Sequence, residues 1–100
     1  MGLAFARRLR DGVRAGEITT SVRIWRRPQV KVGGRYGLHP GFVEVTALRE
    51  ITLEHVTPEL ARDGGFEGVV DLLKVARHGS GNRVFLVEFV YRPVEAGDAG

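Results

Sequence analysis

The sequence has no cysteine. Disulfides, a thiol nucleophile and every cysteine-ligated metal centre are therefore excluded. The usage suits a reducing compartment, and a cytoplasmic protein is expected. The chain also lacks any apolar run approaching the roughly 20 residues that a membrane-spanning helix needs, so no membrane partner is expected. Its opening stretch, MGLAFARRLRDGVRAG, is broken by Arg7, Arg8, Arg10 and Asp11, which leaves no apolar core for a signal peptide. Histidine is scarce. His39, His55 and His78 stand far apart, with neither helical nor hairpin ligand spacing, and no metal site or other cofactor is expected. Walker-type spacing and a nucleophile elbow are both missing. There is no internal repeat, and no low-complexity segment beyond the last few residues.

What is present fits one domain. One hundred residues support a single core. A composition of 43% hydrophobic and 27% charged residues is ordinary for a globular chain. The net charge of +3 is unevenly spread. Residues 1–36 carry nine Lys/Arg against two acids, and residues 37–100 carry six against ten. Two readings follow: an anionic partner that docks on the N-terminal portion, or a general use of arginine on solvated surface.

The densest part of the basic portion is GEITTSVRIWRRPQVKVGGRY, from Gly16 to Tyr36. Its first half alternates as a strand over residues 18–25. Ile18, Thr20, Val22 and Ile24 share the natural core face. Thr19, Ser21, Arg23 and Trp25 share the other. Hydroxyls, a guanidinium and an indole in one row suit a nucleotide, with Arg for phosphate and Trp as a stacking platform. The alternative is a polar outer face with Trp25 packed under a loop. Pro28 and Gly33-Gly34 then mark a loop carrying Arg26, Arg27 and Lys31, followed by Arg35 and Tyr36.

Elsewhere the periodicity predicts an N-terminal helix over residues 3–14, from Leu3, Ala6, Leu9 and Val13, stopped at Gly16. A short strand at 35–38 precedes His39-Pro40-Gly41. A long strand follows over residues 42–53, with Val43, Val45, Ala47, Ile51 and Leu53 on one face and Arg49 interrupting. A bend or bulge is expected in a strand of that length. Thr57-Pro58-Glu59 is a helix start with cap, first-turn proline and first-turn acid, and Gly64-Gly65 ends that helix. A further helix is predicted over residues 67–77. Residues 83–91, RVFLVEFVY, are apolar on both faces, which suits an interior strand. Within it, Glu88 either has a raised pKa in apolar surroundings or faces solvent beside an arginine. Residues 1–93 are expected to form the domain and 94–100 a disordered tail. The whole reads as α+β: mostly antiparallel strands, one N-terminal helix, and two helices before the last strand.

This order, with several residues, resembles the ASCH domain family, whose fold is a small β-barrel similar to PUA RNA-binding domains. The resemblance spans residues 5–91. It is carried by the helix ending in Gly16, by ITTSVRIW and VKVGGRY, by VEVTALREITLEHVTPELARDGGF, and by FLVEFVY. It implies RNA-linked chemistry. Some members remove the acetyl group from 4-acetylcytidine, and others are ribonucleases. The amidohydrolase type has the pattern Gly-x-Lys-x-x-Thr-x-Arg and a glutamate on the short helix. Here Gly16 and Arg23 match, Ser21 keeps a hydroxyl at the threonine position, Ile18 stands where the lysine would be, and the glutamate position falls near Gly64. Isoleucine and glycine supply neither ammonium nor carboxylate for catalysis. The resemblance then implies no catalytic residues and a binding domain for single-stranded RNA or a modified nucleotide. Its site would be Ser21, Arg23, Trp25, Arg26, Arg27, Lys31, Arg35 and Tyr36. The alternatives are a hydrolase on 4-acetylcytidine or RNA, and a protein-interaction module with a basic loop.

Overall fold

The most apolar segment of the sequence is the interior strand on which both cores are built. A computed structural model describes residues 3–76 and 81–93. Its elements are α1 (Arg7–Arg14), β1 (Thr20–Trp25), β2 (Arg35–Leu38), β3 (Gly41–Ile51), a 3-10 turn (Leu53–His55), α2 (Pro58–Asp63), α3 (Val69–Ala76) and β4 (Arg83–Arg92). The strands form one antiparallel sheet in the order β1-β4-β3-β2, curled into a half-barrel. The fold is thus α+β, as expected. Among the described residues no helix is long and apolar enough to cross a membrane.

Strand β4 alternates between the two sides. Phe85, Val87 and Phe89 enter a core on one face with Trp25, Val43 and Val45. Val84 and Leu86 enter a second core on the other face, with Val22, Ile24 and Leu72. Helices α2 and α3 cover the second core, through Ala61, Leu72 and Ala76. Thr57 caps α2 as its sequence predicts, its hydroxyl accepting from the Leu60 N–H at 3.1 Å.

The first core is covered differently, and here the expected helix over residues 3–14 is corrected. Helix α1 starts only at Arg7. Residues 3–6 run extended, and Leu3 and Phe5 point into the first core at 4% and 7% exposure. Two large apolar residues two positions apart share one side of an extended segment, and burying both outweighs one more helical turn. Helix α1 ends as expected, with Gly16 at φ 77°. The Gly16 and Glu17 amides donate to the Val13 and Gly12 carbonyls.

The long strand contains a bulge between Val45 and Ala47. The extra residue inverts the facing of everything after it. Val43, Val45 and Leu48 therefore face the first core, whereas Ala47, Arg49 and Ile51 face the other side, which corrects the single face assigned to them. Arg49 is spared burial and approaches Glu88 at 3.9 Å, with both side chains substantially exposed. Leu53 lies beyond the strand and is 56% exposed. Helix α3 is shorter than residues 67–77, and Asp71 Oδ2 accepts from the Glu67 N–H ahead of it at 3.1 Å. Arg77, His78 and the 94–100 tail lie outside the described residues.

Two cores on one strand predict two independent sensitivities. Phe89→Ala in the first core is expected to cost about 3–5 kcal/mol and Leu72→Ala in the second about 2–5 kcal/mol. The measurement is the urea midpoint at unchanged m-value.

Candidate functional site

Strand β1 is an edge strand, and its backbone alternation decides what the edge offers. The Phe89 N–H donates to the Thr19 carbonyl at 3.0 Å. In an antiparallel ladder hydrogen-bonded pairs alternate, so Ser21, Arg23 and Trp25 are tied to β4. The backbone groups of Thr20 and Val22 point away from it. Along this free edge, Ala6, Leu9, Phe66, Val75 and Ala76 enclose a cavity of about 290 Å³, with Ala4 and Phe5 at its rim and Ser21, Val22 and Arg23 as the β1 wall. The cavity is mainly apolar. Among the described residues its walls hold one charged group, Arg23, and one side-chain hydroxyl, Ser21.

Arg23 is buried, at 6% exposure. Its Nε donates to Ser21 Oγ at 2.7 Å and its Nη2 to the Ala4 carbonyl at 2.6 Å. The guanidinium lies over the Phe5 ring, 5.3 Å from the centroid. A guanidinium has five N–H donors, and these contacts use two. Nη1 has no partner, yet it is not sealed off. Among the described residues the only sealed, unpartnered side-chain atom is Thr20 Oγ1. Burial pushes the Arg23 pKa down to about 10, so the group stays charged at neutral pH.

Other arginines of the chain are neutralised. Arg8, Arg14, Arg49, Arg62, Arg83 and Arg92 pair with Asp71, Asp11, Glu88, Glu59, Glu50 and Glu44. The Arg83–Glu50 contact is bidentate, and it draws the exposed Glu50 carboxyl below its ordinary pKa, chiefly through the hydrogen bond from Arg83. None of the cations singled out in the sequence has such a partner among the described residues.

Ser21 and Arg23 are brought together as the alternation requires. Trp25 is not with them. It is 3% exposed and packs against Phe85 at 5.7 Å between ring centroids. The indole is therefore buried as core, and the stacking platform gives way to the packed alternative. Arg26, Arg27 and Lys31 are exposed on the loop after β1. The Arg26 carbonyl accepts from Arg83 at 3.3 Å, and Lys31 donates its backbone N–H to the Tyr36 hydroxyl at 3.1 Å. Tyr36 thus clamps the Gly33-Gly34 turn and packs against the first core. Arg35 is exposed and lies over Phe42 at 5.3 Å.

Arg35 and Tyr36 line a second cavity, of about 480 Å³, between residues 3–5 and β2. Ala4 and Phe5 line both cavities. Arg10 belongs to the second one and was not singled out from the sequence; the spacing of Leu3 and Phe5 was the available signal that the segment before it is extended. Among the described residues no group of three His, Asp or Glu side chains is placed to hold a metal. Ile18 packs between the two cores. Gly64 sits against the Thr20 carbonyl, where an added Cβ would lie 3.6 Å from the oxygen.

No protein-family model, curated protein or solved structure matches this chain.

A buried charge without a counter-ion destabilises a fold, and an apolar residue of similar length relieves that. Arg23→Met is therefore expected to leave thermal stability within about 1 kcal/mol of wild type, or to raise it. A calorimetric loss well beyond that would make Arg23 a structural residue.

Proposed function

We propose that the protein is a nucleotide- or single-stranded-RNA-binding domain of the ASCH type, on a PUA-like barrel, and that it binds rather than catalyses. The observation carrying this reading is the Arg23 guanidinium: buried, without a carboxylate partner, and one wall of an apolar cavity. A cavity of about 290 Å³ is at the lower end of the roughly 300–1,000 Å³ usual for small-molecule sites, a size for one nucleoside. Leu9, Phe66 and Val75 offer apolar surface to a base. Arg23 Nη1 and the Ser21 hydroxyl offer polar contacts that orient it. Among the described residues the walls hold no carboxylate, imidazole or amine, and the contacts these residues supply are those of recognition. The unpaired loop cations Arg26, Arg27 and Lys31 add phosphate contacts that strengthen binding without selecting sequence.

The test is binding of a fluorescent RNA oligomer across a salt series. Wild type is expected to bind at low salt and weaken steeply as salt rises. Arg23→Met is expected to lose at least tenfold in affinity. Alanine at Arg26, Arg27 or Lys31 is expected to reduce the log–log salt slope by about 0.7 for each phosphate that the removed cation had neutralised. Equal binding by wild type and Arg23→Met overturns the proposal.

A further inference from the structure

Residues 3–6 form a strap between two cavities. On the β1 side the Ala4 carbonyl is held by Arg23 Nη2; near β2 the Phe5 carbonyl accepts from Arg10 Nε at 3.1 Å. Because Ala4 and Phe5 wall both spaces, the cavities are separated by little more than one extended chain, and neighbouring strands sit about 5 Å apart.

The second cavity has an unusual charge. Arg10 and Arg35 both line it, and among the described residues no acid does. Arg10 commits only Nε, and neither guanidinium has an ion pair among the described residues. Two like charges facing one space repel. An anion entering that space removes the repulsion and fills the free donors. A planar guanidinium fork matches phosphate oxygens two at a time. The polar and apolar contents of the two cavities are complementary: one takes a nucleoside body, the other an anion beside it.

We infer that the cavity between the strap and β2 is a phosphate subsite, so that the ligand is a nucleotide laid across the strap, its nucleoside beside Arg23 and its phosphate between Arg10 and Arg35. This rests on the proposed nucleoside site, but the subsite is testable apart from it. Tyr36 and Leu3 also line the subsite, the Phe5 carbonyl of the strap holds Arg10, and the Phe42 ring lies under Arg35.

The experiment uses the full chain and five probes: inorganic phosphate, a nucleoside, its 3′-monophosphate, its 5′-monophosphate, and a dinucleoside monophosphate. Calorimetry is expected to show the better monophosphate binding at least tenfold tighter than the nucleoside. Arg35→Gln, at an exposed position, is expected to remove most of that gain and leave nucleoside affinity unchanged. Arg10→Gln with Arg35→Gln is expected to remove all of it. Inorganic phosphate is expected to shift the backbone amides of Gly37 and Leu38 in NMR spectra of both wild type and Arg23→Met, but not of the double variant. Tighter dinucleoside binding than monophosphate binding marks a phosphodiester of a longer strand as the source, and equal binding marks a free nucleotide; both support the subsite. If the nucleoside binds and phosphate adds nothing, the subsite is overturned while the nucleoside site stands. If phosphate shifts those amides and no nucleoside binds, the ligand laid across the strap is overturned together with the nucleoside site. If no probe binds, both fall.

Discussion

A strand that is apolar on both faces cannot stand at a surface. Strand β4 carries Phe85, Val87 and Phe89 on one side and Val84 and Leu86 on the other, and the remaining architecture covers the two. Helices cover one side, where a wide apolar stripe on α2 and α3 meets the sheet. The other is reached by a helix only through Val13 of α1. The sheet curls, and its concave face is filled by Trp25, by the loop residue Val30 and by the extended strap with Leu3 and Phe5. A strap is narrower than a helix. It closes the half-barrel without sealing it, and the two cavities flank it.

The same geometry accounts for Arg23. An arginine on the concave face of β1 would be solvated if that face were open. The strap passes over it, lends a carbonyl and an aromatic ring, and takes it out of water. The lowering of the Arg23 pKa to about 10 by burial corresponds to a desolvation penalty on the order of 3 kcal/mol. Two hydrogen bonds to a charged group, at about 1.5–3 kcal/mol each, and a cation–π contact, at about 0.5–2 kcal/mol, are together at least as large. A leucine or methionine would fill the same space without the penalty. Because the native pKa is the lower one, the penalty is present at every pH below about 10. The fold's own contacts thus hold the charge in place, and in the proposed function its remaining donors meet a ligand in the cavity.

Much of the scaffold is legible in local chemistry. Thr57-Pro58-Glu59 starts a helix because cap, fixed φ and first-turn charge agree. RVFLVEFVY is interior because neither face can be exposed. The failures share one cause: a long-range packing demand overrode a local pattern. Leu3 fits a helical stripe with Ala6, Leu9 and Val13, but it also fits an extended segment with Phe5, and only the unfilled concave face decides between them. The bulge was expected, yet its position at Thr46 depends on which residues β4 must meet, so the facing of Ala47 and Ile51 was misassigned. Trp25 shares its row with Arg23, and alternation cannot say that one half of a row lies under the loop while the other half lines a cavity. Arg10 was hidden within a run of helical arginines, since nothing local distinguishes it from Arg7 or Arg8.

The two readings of the uneven charge can now be weighed on the pairing of individual arginines. A general preference for arginine on solvated surface predicts that acids and cations mix without regard to position. Instead, Arg49, Arg62, Arg83 and Arg92, all beyond residue 36, each meet a carboxylate, as do Arg8 and Arg14 on α1. Arg7, Arg10, Arg23, Arg26, Arg27, Lys31, Arg35 and Lys74 make no ion pair among the described residues, and three of these, Arg10, Arg23 and Arg35, line the two cavities beside the strap. Exposed ion pairs are individually worth little, so pairing elsewhere is not a demand of stability. Its absence beside the strap leaves the local field positive where the fold also leaves space. Charge, cavity and unused donors coincide there, and that coincidence is the basis of the proposed anionic ligand.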